Sequence, residues 1–210
     1  IGYLAPDAAG RMSYVSLLDR VPEADREFAD VWSTLATAQG VYFTTFKKLI
    51  RIGAPGPAQV WRAGTSFHIA HMARERLYVR EVGRGLMQLV DDQLQPVPQG
   101  ERLADEKIAA VLPWPRTDGS GDDALLIGTR TKGFFLLEDG RLRRWQTEAD
   151  AVLESGQLYT AIRLADGRVA GGTLMAGVVL FDAKGRLAGR LERSTGLPGP
   201  TVYSLLQDRR

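Results

Sequence analysis

Three observations predict an all-β chain made of β-propeller blades. A segment recurs along the sequence, each copy is followed by a hairpin signal, and the gaps between apolar runs are too short for crossover helices. The copies are residues 77–89, 125–137 and 169–181, which align on a shared glycine: Gly85, Gly133 and Gly177, spaced 48 and 44 residues apart. Each is followed by a turn and a further apolar run: Asp91-Asp92-Gln93 before 94–97, Glu138-Asp139-Gly140 before 142–145, Ala183-Lys184-Gly185 before 187–191. Asp-Gly and Lys-Gly between apolar runs signal hairpins, because glycine accepts the positive φ of a tight turn. A short apolar strand also precedes each copy, at 67–72, 108–112 and 158–164. The unit is four short antiparallel strands, A to D, which is the content of one propeller blade.

Taken in chain order, residues 1–22 read as the C and D strands ending a preceding blade, with an Ala-Gly turn between 2–7 and 12–15. Residues 28–63 form a weaker copy, with strands at 31–35, 41–44, 49–52 and 59–62 and without the central glycine. Residues 64–100, 107–147 and 157–193 are the clear units, and 201–210 reads as the first strand of a following blade. The expectation is a single propeller fragment over 1–210, about three full blades with two partial ones. Both faces of a blade are covered by neighbours, so its strands should be almost continuously apolar, as 86–90, 134–137 and 178–181 are. Only 101–110 and 148–155 leave room for a helical turn or two.

Composition supports a folded chain and removes several function classes. Of 210 residues, 44% are apolar and 25% charged, enough to build a sizeable core. The net charge of +2 and the absence of a basic run argue against a nucleic-acid partner. With no cysteine, disulfides, thiolate metal sites and cysteine nucleophiles are excluded. With no asparagine, so is N-glycosylation. The longest uncharged stretch, 169–181, has 13 residues, short of the roughly 20 that span a bilayer. The first residue is not Met and no charged-then-apolar leader follows, so the sequence reads as a piece of a longer protein.

The stretch Leu125-Leu126-Ile127-Gly128-Thr129-Arg130-Thr131-Lys132-Gly133-Phe134-Phe135-Leu136-Leu137-Glu138-Asp139-Gly140-Arg141-Leu142 is followed a blade later by Gly196-Leu197-Pro198-Gly199-Pro200 and 201–208. Together they resemble the two-component regulator propeller repeat, in which a Gly-Leu-Pro loop enters an innermost strand and Gly-Thr and Gly-Leu elements follow. Leu126 stands where that repeat has Trp, and Val79-Arg80-Glu81 replaces Ile-Gly-Thr in the preceding unit. The resemblance implies the periplasmic, extracytoplasmic part of an inner-membrane sensor whose output is a histidine kinase or diguanylate cyclase. It implies ligand sensing without catalysis.

Enzyme motifs are missing: there is no Gly-x-Ser-x-Gly elbow, no phosphate-binding Walker loop and no His-Glu-x-x-His. Gly83-Arg84-Gly85 lacks the third glycine and the helix of a dinucleotide site. His68 and His71 fall on a strand, where odd spacing sends the rings to opposite faces, so no metal is expected from them. Residues 118–123 space oxygen ligands as a calcium loop does, but Thr129 occupies the place of the closing Glu; a mobile insertion is expected. The carboxylate pairs Asp91-Asp92, Asp122-Asp123 and Glu138-Asp139 fall in turns, where they do not converge on a substrate.

The better candidates follow from blade geometry. The B–C and D–A loops emerge at one end and carry Arg80, Glu81, Arg84, Arg130, Thr131, Lys132, Thr173 and Met175. Arginines there would fork onto a carboxylate, a phosphate or sugar hydroxyls; the bland alternative is pairing with Glu81 or Glu101. Trp114, between Pro113 and Pro115, is the candidate for an exposed tryptophan that stacks on a sugar ring or serves a protein contact, although packing is the commoner fate of a large aromatic even there; Trp32, Trp61 and Trp145 are expected between blades. The expected partners are an unidentified small molecule or oligosaccharide, the remaining blades, and a second copy through open blade edges; no cofactor is expected. Two other readings stand beside the sensor: a propeller lyase or glycosidase, and a protein-interaction platform with an apolar patch near Trp114.

Overall fold

The computed structural model describes residues 1–53, 56–121 and 123–208. It is all-β apart from one short helix. A hairpin, β1 (Gly2–Pro6) and β2 (Met12–Ser16), is followed by four antiparallel four-stranded sheets. The first sheet holds β3 (Val31–Thr37), β4 (Gly40–Thr45), β5 (Lys48–Ile52) and β6 (Gln59–Arg62). The second holds β7 (Phe67–Ala73), β8 (Arg76–Glu81), β9 (Gly85–Val90) and β10 (Gln93–Pro96). In the third are β11 (Ile108–Trp114), β12 (Ala124–Thr129), β13 (Phe134–Glu138) and β14 (Arg141–Trp145). After the helix α1 (Asp150–Gly156), β15 (Leu158–Arg163), β16 (Val169–Thr173), β17 (Val178–Phe181) and β18 (Leu187–Leu191) make the fourth. Spatial order equals chain order within every sheet, as in a propeller blade.

Neighbouring sheets pack face to face, and alternation along one strand feeds both interfaces. In β12, Leu125 and Ile127 enter the core shared with the second sheet, while Ala124 and Leu126 enter the core shared with the fourth. Sheets three and four enclose Phe134, Phe181 and Trp145, with the two phenylalanine rings edge to face at 5.2 Å. Leu86, Ile108 and Ile127 fill the joint between sheets two and three, and Leu49, Phe67 and Met87 that between one and two. Being buried on both faces explains why these strands read as nearly continuous apolar runs. The inner strands β3, β7, β11 and β15 contact one another in sequence.

The sheet over 31–62 is complete, with all four of its expected strands, although its sequence signal is the faintest. The structure differs from expectation in two places. Residues 201–208 are extended but form no strand, because no described strand pairs with them. They lie along the fourth sheet, with the Val202 amide donating to the Thr173 carbonyl at 2.8 Å and Tyr203 edge to face with Tyr159. The insertion after β11 is tethered: Arg116 binds Asp139 at 2.6 Å, and Glu138 accepts from the Thr117 hydroxyl at 2.7 Å. Asp122, like Arg209 and Arg210, lies outside the described residues. Among the described residues, no helix is long and apolar enough to cross a membrane.

Candidate functional site

Three of the four B–C loops share one device, a threonine hydroxyl that locks the turn. Thr129 Oγ1 donates to the Gly133 carbonyl at 2.9 Å and accepts from the Lys132 amide; Thr173 does the same with Gly177 and Ala176. Thr45 repeats it around Lys48. In the second sheet Glu81 takes the position instead, and its carboxylate accepts from the Gly64 amide at 2.7 Å and from Arg84 at 2.8 Å. The Gly-Thr element of the repeat is therefore structural. Thr173 is fully buried and both hydrogen-bonding capacities of its hydroxyl are used, which corrects its expected place among surface contacts.

Most of the loop-end charges are likewise engaged within the chain. Arg80 is buried and donates through Nε and Nη2 to the Ala104 carbonyl at 3.0 and 2.6 Å. Burial lowers its pKa, opposed by Asp105 and Glu106. Glu81 is buried against Arg84. Glu106, also buried, takes the Thr131 hydroxyl at 3.0 Å and Lys132 Nζ at 2.9 Å. Met175 is exposed. Arg130 differs from its neighbours: its guanidinium lies 5.3 Å from the Tyr159 ring centre, and its Nε is buried without a hydrogen-bond partner.

Trp114 takes the packing alternative and is no surface contact. It is 3% exposed, edge to face with Trp145 at 5.3 Å and covered by the Arg163 guanidinium at 5.3 Å, because β11 runs on through Pro113 to its end. The exposed tryptophan is Trp32, at 43%, which contacts the half-exposed Phe46 at 6.3 Å and the His68 ring edge to face at 5.6 Å. No apolar patch forms at Trp114. Instead, exposed apolar side chains gather at Trp32 and Phe46, and on the hairpin as Tyr3, Leu4, Met12 and Tyr14.

The two histidines diverge, although a register shift between Phe67 and Ala70 interrupts simple alternation along β7. His68 turns to Trp32 in the first sheet, whereas His71 Nε2 approaches the Ile108 carbonyl of the third at 3.3 Å. Burial lowers the pKa of both to about 4, with repulsion from Arg130, Arg80, Lys107 and His71 adding to the effect at His68. Among the described residues, no three metal-ligating side chains converge.

At the opposite end a cleft of about 850 Å³ opens between the first two sheets, lined by Gln39, Tyr42, Arg51, Glu75, Gln88 and Asp92 among others. The Arg51 guanidinium lies against the Tyr42 and Trp61 rings and pairs with Asp92 at 2.8 Å, and Trp61 Nε1 donates to the Asp92 carbonyl at 2.8 Å. These contacts bind the two sheets together. The turns that flank the cleft hold Glu75, Asp91 and Asp92 at positive φ without a glycine.

No protein-family model matches the chain, and no curated protein matches it in sequence. Solved structures do match. The extracellular domain of BT3049 from B. thetaiotaomicron, which bears the name of a hybrid two component system, is 15% identical over 95% of this chain, with a TM-score of 0.61. The extracellular domain of BT4673 from the same organism, named for a one component system, is 14% identical over 93%, with a TM-score of 0.65. A protein of unknown function from Bacteroides caccae is 12% identical over 90% of this chain and 74% of its own length, with a TM-score of 0.53. The present chain spans about a quarter of the first two structures, 27% and 26%. At these identities what is shared is the fold, a row of four-stranded propeller blades.

Proposed function

We propose that this chain is part of an extracytoplasmic, ligand-sensing propeller in a membrane signalling protein and carries out no chemistry of its own. The observation that carries this reading is the likeness of its fold, over 93–95% of its length, to extracellular domains named for two component and one component systems. The loop end supports it in kind: polar groups there are held in place by neighbours rather than arranged as an acid and a base across a substrate. Signalling would follow from unequal affinity for two arrangements of the blades, since a ligand that binds both equally shifts nothing. Its partners are a small molecule or oligosaccharide and the remaining blades of the parent protein. The localisation proposed is the periplasm.

Reading the coding DNA on both sides of this segment tests the proposal. Further repeats leading to one membrane span and a kinase or cyclase are the expected result. A frame without a membrane span, or one that enters a soluble catalytic domain, would overturn it.

A further inference from the structure

The cleft between the first two sheets gathers side chains with hydrogen-bonding capacity left over. Its volume of about 850 Å³ lies within the roughly 300–1,000 Å³ of small-molecule sites. Ala36, Met72, Leu77, Leu89 and Val90 give it apolar surface. Its polar lining includes Gln39 from the β3–β4 turn, Gln88 from β9, and Glu75 and Asp91 from the turns β7–β8 and β9–β10. Among the described residues, the side chains of Gln88, Glu75 and Asp91 have no hydrogen-bond or ion-pair partner. Gln39 accepts from the Tyr42 hydroxyl at 3.1 Å through Oε1, which leaves its Nε2 hydrogens to be used.

The cations of the cleft are already engaged. The Arg51 guanidinium is taken up by Asp92 at 2.8 Å, by the Gln59 amide oxygen and by the rings of Tyr42 and Trp61. Arg76 donates to the hydroxyl of Tyr78, whose ring packs toward the third sheet. Among the described lining residues, no unpaired cation offsets the carboxylates of Glu75 and Asp91, so an anionic ligand would be repelled. A bare ammonium would suit the carboxylates but leave the donors of Gln39 and Gln88 unused. Hydroxyl groups both donate and accept, and match the whole set. The two turns lie two strand spacings apart along the second sheet, about 10 Å, more than one sugar ring covers.

We propose that this cleft binds a neutral oligosaccharide of about two or three sugars, its hydroxyls on Gln39, Gln88, Glu75 and Asp91 and its apolar faces on Met72 and Leu89. The walls belong to two blades, so a ligand that fits one spacing of the sheets better than another biases that spacing. This inference rests on the sensor reading for its biological meaning. Its test does not, because binding to the present chain is independent of what the flanking DNA encodes.

The probes are the neutral trisaccharides maltotriose, cellotriose, mannotriose and xylotriose, with trigalacturonate as the anionic control and spermidine as the cationic one. Binding is followed by NMR at the Gln88 side-chain amide and at the Trp61 indole, whose N–H donates to the Asp92 carbonyl at 2.8 Å. At least one neutral trimer is expected to shift both signals, and neither control. Gln88→Leu should weaken that trimer about tenfold, the loss of one or two hydrogen bonds. Glu75→Gln, in an exposed turn, should weaken it about threefold and serves if Gln88→Leu does not fold. Four silent neutral trimers, equal shifts by trigalacturonate, shifts by spermidine alone, or unchanged affinity in the folded variants would overturn the proposal. Failure here with a membrane span in the flanking frame removes the oligosaccharide cleft alone; binding without such a span removes the sensor reading alone.

Discussion

Asp25 and Arg62 form a two-point ion pair beside the first sheet, Arg62 Nε donating to Asp25 Oδ1 at 2.9 Å while Nη2 meets Oδ2. The carboxylate is 1% exposed and also faces Lys48 Nζ at 3.5 Å, so the segment that leads into β3 is pinned to β5 and β6. Asp25→Ala leaves both cations without their partner and should cost about 3 kcal/mol, whereas Arg62→Ala should cost about 1 kcal/mol because Lys48 remains. Urea unfolding of the two variants checks the order, and equal losses would contradict it.

The three glycines of the repeat are not equivalent. All have positive φ, but a Cβ on Gly85 would lie 2.1 Å from the Gly100 carbonyl oxygen and one on Gly177 2.2 Å from that of Leu191, both rigid backbone. At Gly133 the obstacle is the Arg144 guanidinium at 2.8 Å, which can swing aside. Gly133→Ala should therefore cost about 1–2 kcal/mol from the left-handed backbone, and Gly85→Ala or Gly177→Ala distinctly more. Thermal melts of the three variants rank them.

Acid should loosen the inner strands. His68 and His71 have pKa values lowered from 6.5 to about 4, so both are neutral at pH 7 in the folded state. The unfolded chain takes up protons first as pH falls below 6.5, so stability is full above that value and declines until pH reaches about 4. For His68 the loss is on the order of 3 kcal/mol. The urea midpoint measured at pH 7.5 and 4.5 should drop in the parent and drop less in His68→Gln; a midpoint independent of pH would refute the assignment.

The hairpin β1–β2 presents Tyr3, Leu4, Met12 and Tyr14 to solvent, a surface that a neighbouring blade would cover. Light scattering of the isolated chain should show species larger than a monomer, and Leu4→Lys with Tyr14→Lys should suppress them. A monodisperse monomer in the parent chain would count against self-association through this surface.

The repeat and its turns were legible because each depends on neighbours in sequence: Gly140 follows Asp139 in a hairpin whose φ values need both, and the strands around it are apolar on both faces. The weak first sheet was harder, since Lys48 occupies the place of the repeat glycine while Thr45 still closes the turn. Site residues were less legible, because their fate is decided by partners far along the chain. Arg80 is satisfied by a carbonyl 24 residues away, and the flanking prolines of Trp114 suggested a loop where β11 in fact continues toward Trp145. The spacing of His68 and His71 raised only a metal reading, and says nothing of the Trp32 ring that His68 meets.

Strand β7 grips its two neighbours by different means, with Phe67 and Ala70 packed toward the first sheet and His71 against the Ile108 carbonyl of the third. Each sheet in the row is joined in this way to the next in line. Mechanically such a row is a set of springs in series, and its compliance is set by the softest joint. The joint around Phe134 and Phe181 is packed with aromatic rings, and that between sheets two and three with Leu86, Ile108 and Ile127, so a bending load would be shared along the row rather than taken up at one hinge.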